Sequence, residues 1–272
     1  MKRTLFILMA LGLAACSREP VAPEMLVVEG WIEEGRAPVV YLTTSLVPSE
    51  EPESLDDIDR HIVRWGKVTI SDGEEEVILT GMASKRFYPP YAYSTGRMVG
   101  KAGKTYRLTV DYSGLHAEAS AKIPPSKPLT SLVPMKQDNG RYLLKAEFED
   151  DPLTDDYYRF FHKIEKLDSV FMPSPLAYSD GSVPEALIRP GRGVGRADDH
   201  SGGFASGDRV QVKFCTMEKD IYDFWQAFEQ QAYLADVPVF TLDGNIPGNV
   251  HGSRVIGYFA GYGCTQYSVE IP

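Results

Sequence analysis

Apolar and polar residues alternate along much of this chain, which is the pattern of half-buried β-strands. In the clearest run, Tyr106, Leu108 and Val110 share one face, and charged or polar residues fill the other. After a Ser-Gly turn the alternation resumes, and several shorter runs separated by turn residues come before it. Residues 25–124 are therefore predicted to form an immunoglobulin-like β-sandwich, with these three side chains and Trp31 in its core.

A strongly acidic segment interrupts this first set of strands. Residues 48–60 carry six acids and two prolines, a composition that is too charged to pack into a core. It predicts a solvated loop, and the acids lack the regular ligand spacing of a calcium-binding loop. Residues 62–70 then return to strand composition and are predicted to rejoin the sheet as one strand.

The second half of the chain is less regular but remains rich in strand patterns. The proline-rich stretch 124–128 stops strand pairing, and we place a domain boundary there. Beyond it, residues 129–272 contain further alternating runs and predict a second β-rich domain. Near its end, residues 254–262 and 265–271 are expected to form a closing hairpin around Gly263. The whole chain is therefore predicted to be mainly β.

One segment of the second domain, from about residue 218 to residue 234, has helical periodicity. Ile221, Trp225 and Phe228 recur at spacings of three and four residues, so they form an apolar stripe along one side. This amphipathic helix is predicted to pack on the sheet of the second domain as a structural clamp. The polar residues on its other sides, Glu229 among them, are expected to face water.

The beginning of the chain has the three parts of a secretory signal. Two basic residues precede an apolar run of 11 residues, 5–15, which is too short for a membrane-spanning helix of about 20 residues. The run ends in Leu-Ala-Ala-Cys, which looks like the lipobox of bacterial lipoproteins. Residues 1–15 are therefore predicted to be a lipoprotein signal peptide, Cys16 the lipid anchor and 16–24 a short tether. The alternative is an ordinary signal peptide with a chance cysteine.

The charge of the chain limits the class of partner. The formal net charge is −10, and no cluster of lysine or arginine stands out. An acidic protein repels phosphate backbones, so nucleic acid is not an expected partner. The same repulsion opposes docking on anionic lipid, so the link to a membrane is predicted to be covalent, through Cys16.

Two cysteines, Cys215 and Cys264, remain after the anchor. In an exported protein such a pair can be oxidised to a disulfide, and closing a loop of this length stabilises a fold by about 4 kcal/mol in the chain-entropy model. The alternative is two separately buried thiols. The sequence leaves both open.

No catalytic or cofactor-binding motif is present in the sequence. The Gly-x-Ser-x-Gly and His-Glu-x-x-His motifs are absent. The glycine-rich run 191–196 ends in arginine where a dinucleotide-binding fingerprint needs glycine, and we interpret it as a flexible loop. Residues 198–200, Asp-Asp-His, are adjacent and lack a second nearby histidine, which favours a polar surface turn over a metal site. We assign no catalytic, cofactor-binding or metal-binding residue.

An aspartate-rich segment, 150–156, has two interpretations. Its carboxylates could bind calcium from a rigid turn. Alternatively, it is an Asp-Pro turn that leads into a strand, with aspartate side chains bound to nearby backbone amides. The second interpretation needs no convergence of distant oxygens, and we prefer it.

Three tyrosines, Tyr88, Tyr91 and Tyr93, lie around a Pro-Pro pair and predict an aromatic loop. Aromatic side chains on loops often form recognition surfaces, because they bury a large area at a small entropic cost. A loop that packs back on its own sandwich would have the same composition. Both interpretations stay open.

Several segments together give the chain a family resemblance. They are the lipobox at Cys16, Leu26–Ile32, Gly103–Thr109, Asp151-Pro with Tyr157-Tyr158, Tyr222–Trp225, Gly248-Asn-Val and Gly257–Tyr262. In this order they resemble the domain-of-unknown-function 4249 family of Bacteroidota lipoproteins. The resemblance implies a secreted lipoprotein associated with the outer membrane, often encoded beside TonB-dependent transporters. It implies no catalytic residues, since none is assigned in the family.

These observations predict a lipoprotein anchored in the outer membrane, on its periplasmic face or at the cell surface. We expect it to act without catalysis, as a binding or accessory subunit alongside a TonB-dependent transporter, with a ligand that the sequence does not identify. One alternative is a secreted hydrolase whose residues converge from distant loops, for instance Asp150, Asp155 and His200. Another is a purely structural protein of the cell envelope.

Overall fold

A computed structural model gives the structure of the chain. It describes residues 24–45, 59–84, 89–151, 153–179, 185–190, 202–235 and 246–272. The predicted signal peptide, the lipobox cysteine Cys16, Tyr88, the glycine-rich run 191–196 and the Asp-Asp-His turn with His200 lie outside these described residues.

Strands make up most of the described chain, and the fold is mainly β, as the sequence predicted. They are β1 (Leu26–Glu33), β2 (Val39–Thr44), β3 (Lys67–Ser71), β4 (Glu76–Ile78), β5 (Thr80–Ala83), β6 (Tyr91–Ser94), β7 (Thr105–Tyr112), β8 (Leu115–Lys122), β9 (Leu129–Lys136), β10 (Tyr142–Phe148), β11 (Tyr157–Ile164), β12 (Met172–Ser179), β13 (Glu185–Ile188), β14 (Arg209–Met217) and β15 (Val255–Glu270). The long helix spans Lys219–Ala235, and residues 59–61 are also helical.

These strands form three sheets. The large sheet has eight strands in the order β12-β11-β14-β15-β1-β2-β6-β5, and the two small sheets have the orders β4-β3-β7-β8 and β13-β10-β9. The first small sheet packs on the β1–β2 half of the large sheet, and the second packs on its β11–β14 half. The molecule therefore contains two sandwich cores on one face of a shared sheet.

The last strand, β15, connects the two cores. Its first half pairs with β1 in parallel, and its second half pairs with β14 in antiparallel orientation. The hairpin predicted around Gly263 is therefore wrong, because the chain runs straight through this position. Gly261 and Gly263 instead allow a close crossing, since a Cβ atom on either would collide with the backbone carbonyl of Lys122 or Pro124. The end of β8 and the start of the proline-rich stretch 124–128 therefore cross β15 at these two glycines.

This arrangement corrects the prediction of two separate domains that meet at 124–128. The large sheet draws strands from both sides of that boundary, and β1 lies next to the final strand of the chain. Within the first core, Tyr106, Leu108 and Val110 are buried as expected. Trp31 is only half-buried, because the alternation of β1 directs it to the opposite face of the sheet, where the helix lies.

The long helix packs on that opposite face, one residue later in the chain than predicted. Ile221 and Trp225 are buried there together with Phe224. Two of the expected positions differ. Phe228 is 42% exposed, because the turn of the helix carries it to the edge of the contact. Glu229 does not simply face water, since it forms an ion pair with a buried arginine of β11.

Candidate functional site

The most distinctive surface lies on the helix side of the large sheet. Because side chains alternate along a strand, one set from β1, β2 and β15 points away from the sandwich cores. We call this surface the aromatic face and define it by Trp31, Tyr41, Phe224, Phe228 and Tyr258. Ring centroids are 5.6 Å apart for Trp31–Tyr41, 4.3 Å for Phe224–Tyr258 and 6.2 Å for Phe224–Phe228. The rings come from two strands, the helix and the final strand, so only the folded chain brings them together.

The carboxylate of Glu29 lies among these rings. It is directly opposite Tyr258 on β15 and Tyr41 on β2. The Tyr258 hydroxyl donates a hydrogen bond to Glu29 Oε1 at 3.0 Å. Crowding by the surrounding protein atoms raises the pKa of Glu29, although its side chain is exposed to solvent and the bond from Tyr258 opposes the shift. The aromatic face therefore contains a negatively charged hydrogen-bond acceptor, Glu29, between the rings of Tyr41 and Tyr258.

A buried arginine fixes the helix to the sheet beside this face. Arg159 of β11 is 2% exposed, and its guanidinium lies 3.9 Å from the centroid of the Trp225 ring. Its Nη2 donates to Glu229 Oε1 at 2.7 Å, while Nε and Nη1 find no hydrogen-bond acceptor among the described residues. Burial lowers the pKa of Arg159, and the charge of Glu229 opposes that shift. The arginine stays paired and stacked, so it locks the helix in place.

Further contacts in the same layer make the lock stronger. The Trp225 indole N–H donates to the Tyr262 hydroxyl at 2.9 Å, and the Gln226 amide donates to the backbone carbonyl of Ala177 at 3.2 Å. Under the helix, a disulfide joins Cys215 and Cys264, which are directly opposite each other on β14 and β15. Of the two alternatives that the sequence left open for these cysteines, the structure contains the bridge.

A buried ion pair lies farther along the same side of the sheet. Lys213 Nζ is 2.6 and 2.7 Å from the two carboxylate oxygens of Glu33, and the two residues are each 7% exposed. Arg36 adds a second contact to Glu33 at 3.2 Å. Burial lowers the pKa of Lys213, and Glu33 opposes the shift. Because the carboxylate is already saturated by two cations, we interpret this pair as structural.

The predicted aromatic loop is a strand where the structure describes it, since Tyr91 and Tyr93 lie on β6 and pack against their own sandwich. Tyr93 is 2% exposed, and its hydroxyl donates to the backbone carbonyl of Val63 at 2.8 Å. The Tyr91 hydroxyl donates to the carbonyl of Arg64 at 3.0 Å. These two tyrosines therefore support a neighbouring loop and do not form a recognition surface, because their hydroxyls and most of their ring surface are already used.

The residues proposed for a hydrolase are not assembled in the described part of the chain. Asp150 accepts a hydrogen bond from the Tyr158 hydroxyl at 2.6 Å, and Asp155 lies exposed in the turn. The turn is closed by its own bonds, among them Leu153 N–H to Asp151 Oδ1 at 3.0 Å. Among the described residues, no group of three or more histidine, cysteine, aspartate or glutamate side chains could hold a metal ion. The aspartate-rich segment is a turn held by local bonds.

Within the described ranges, none of the helices is long and apolar enough to cross a bilayer. Trp65 lies in the stretch 62–70 that the sequence predicts to be a strand, but it is 90% exposed on a loop before β3. The sequence did not indicate that Trp65 is exposed, because a run of strand-forming residues does not show at which residue the strand begins.

A family model described as a domain of unknown function (DUF4249) matches residues 18–268. A search of curated proteins finds no match to the chain.

Proposed function

The chain belongs to the family described as domain of unknown function DUF4249, and we propose that it is a lipid-anchored, non-enzymatic binding or accessory subunit of the outer membrane. The lipobox at Cys16 supports the anchor, and the family match begins two residues after it. The partner that we propose is a TonB-dependent transporter in the same membrane. Attachment by acyl chains holds the subunit beside integral proteins without a membrane-spanning helix.

The observation that carries the proposal is the aromatic face with Glu29 at its centre. Interfaces obtain most of their binding energy from a few aromatic and arginine side chains that are surrounded by near-neutral contacts. Phe228, 42% exposed, and Trp31, half-buried, are positioned as anchors of this kind. A lysine or arginine from the partner would find the exposed carboxylate of Glu29 on this face, and such a complementary charge favours the correct partner.

Rigidity of this surface also favours a binding role. The helix that contributes Phe224 and Phe228 is fixed by the stacked Arg159 and its bond to Glu229. A surface that is ordered before binding loses less conformational entropy when a partner docks. The contacts of Arg159 with Trp225 and Glu229 therefore favour recognition, and they need not take part in any reaction.

Affinity purification from solubilised membranes tests the proposal. The wild-type chain should bring down a large β-barrel transporter, and Phe228→Ala should weaken that association by about 30-fold, the effect of losing about 2 kcal/mol at a central aromatic residue. Val133→Ala is the matched control, because Val133 is 47% exposed on β9, outside the aromatic face. If the transporter were absent, or were retained equally by Phe228→Ala, the proposal would be wrong.

A further inference from the structure

Trp65 is an exposed tryptophan on a loop whose backbone is rigidly held. The Val63 N–H donates to the carbonyl of Leu42 at 2.9 Å, and the Val63 carbonyl accepts from the Tyr93 hydroxyl at 2.8 Å. The same hydroxyl accepts from the Gly66 N–H at 2.9 Å, so Tyr93 binds the loop on both sides of Trp65. The backbone that carries the indole is therefore fixed by the fold.

The indole itself has little contact with the protein. Trp65 is 90% exposed, and within the described residues it makes neither a hydrogen bond nor a ring contact. Tryptophan usually buries most of its large apolar surface. A rigid loop that holds such a side chain in solvent indicates that something outside the chain covers it.

A further tyrosine holds the same loop from the edge of the sheet. The Tyr91 hydroxyl donates to the carbonyl of Arg64, next to Trp65, at 3.0 Å. The backbone of the edge strand β5 lies against the Tyr91 ring at Gly81, so this tyrosine is itself held in place.

The loop of Trp65 is close to the point where the N-terminal tether joins the fold. The Met25 N–H donates to Ser45 Oγ at 3.0 Å, and the neighbouring Thr44 Oγ1 is 3.1 Å from His61 Nδ1. Four residues, at most about 14 Å of chain, separate His61 from Trp65. From Cys16 to Met25 the chain can span up to about 32 Å, so a lipid on Cys16 can reach the bilayer beside Trp65.

We propose that Trp65 inserts into the interface of the phospholipid bilayer that holds the anchor. The inference rests on the proposed lipid anchor and adds a second, non-covalent contact that orients the protein. Indole rings favour the membrane–water interface, where the ring meets apolar chains and the N–H meets water and headgroups. The six acids of residues 48–60 lie just before this loop in the sequence, so charge does not drive the contact. It should persist at high salt.

The test uses the full chain tethered to vesicles of phosphatidylethanolamine and phosphatidylglycerol with brominated acyl chains, which quench indole fluorescence on contact. If Cys16 is acylated in cells, the protein purified from membranes is reconstituted through its own lipid. If Cys16 is not acylated, its thiol is the one left outside the disulfide and is coupled to a maleimide-bearing phospholipid. Entry into vesicles without coupling reports on the anchor, and quenching reports on Trp65 in either case.

The wild-type chain should show a quenched component of its tryptophan emission that is unchanged by added salt. Trp65→Phe should lose that component and keep the same melting temperature, because the indole makes no internal contact. Leu153→Trp in the Trp65→Phe chain is the matched control, since Leu153 is 91% exposed but lies in the turn before β11. Its emission should not be quenched.

Three outcomes would overturn the proposal. The first is a tethered wild-type chain whose Trp65 emission is not quenched. The second is equal quenching of the indole at position 153, which would show a non-specific encounter with the bilayer. The third is a Trp65 that is shielded only when a partner protein is added, which would assign the loop to a protein interface.

Discussion

Replacing Trp225 with alanine tests how the helix is held on the large sheet. The indole is 7% exposed and stacks against the guanidinium of Arg159 at 3.9 Å. Its N–H donates to the hydroxyl of Tyr262. That phenol is buried, and burial raises its pKa above the usual range. The substitution therefore removes a packed ring, a cation–π contact and a buried hydrogen bond together.

The expected loss follows from these three contributions. Emptying a large aromatic site in a core costs about 3–5 kcal/mol. A desolvated cation–π contact contributes about 2 kcal/mol, and a buried hydrogen bond about 1 kcal/mol. These contributions overlap, since one truncation removes all of them, so we expect Trp225→Ala to lower the free energy of unfolding by about 5 kcal/mol.

Urea unfolding of the oxidised protein measures this value, and a double-mutant cycle with Arg159→Met isolates the stacking. Residues in contact give coupling energies of about 0.5–3 kcal/mol. We expect about 1–2 kcal/mol between Trp225 and Arg159. Gln230→Ala on the exposed side of the same helix is the control and should change stability by less than about 0.5 kcal/mol.

A loss below about 1 kcal/mol for Trp225→Ala would refute the clamp, because a side chain that is 7% exposed cannot be removed from a packed layer at that cost. A coupling energy near zero would refute the stacking in particular. If stability were unchanged but partner binding were abolished, Trp225 would belong to the interaction surface.

Three further predictions concern other parts of the sheet. The disulfide joins cysteines that are 49 residues apart, and reducing it should lower the free energy of unfolding by about 4 kcal/mol in the chain-entropy relation. Urea unfolding with and without reductant measures this loss, and equal midpoints would contradict the prediction. Gly261→Ala should cost about 3 kcal/mol or more because its Cβ would meet the Lys122 carbonyl, whereas Gly96→Ala, with open space around it, should leave the melting temperature nearly unchanged. Because the pKa of Glu29 is higher in the folded state than in the unfolded chain, folding favours the protonated carboxyl. The contribution of this group to the free energy of unfolding is complete below the unfolded pKa and is lost as pH rises through the folded pKa. Glu29→Gln should therefore gain stability over the wild type as pH rises from about 4 to 7, and parallel unfolding curves would contradict this sign.

The sequence predicted elements well wherever one face of a strand is polar. The runs at β7 and β8 alternate cleanly, so their inward residues could be named in advance. In β15, by contrast, Tyr258, Phe259 and Ala260 are all buried, because a core lies on one face of the sheet and the helix on the other. Alternation then disappears, and the glycines beyond resembled a turn.

The candidate site depended on contacts that local patterns do not contain. Arg159 lies in the middle of a strand, and its partner Glu229 comes from a helix far along the chain, so neither residue indicated the pair. Glu29 is a polar residue of an alternating strand and gave no sign of the rings around it. Trp65 was missed because the residues around it look like one continuous strand, while the structure begins β3 at Lys67.

Photo-crosslinking in intact cells tests the proposed role most directly. A photoreactive amino acid at position 228, on the aromatic face, reports which protein contacts that face, and the same amino acid at position 133 on β9 is the control. We expect one adduct at 228 with an integral β-barrel transporter of the outer membrane and no such adduct at 133. Absence of an adduct at 228, or the same adduct at both positions, would contradict it.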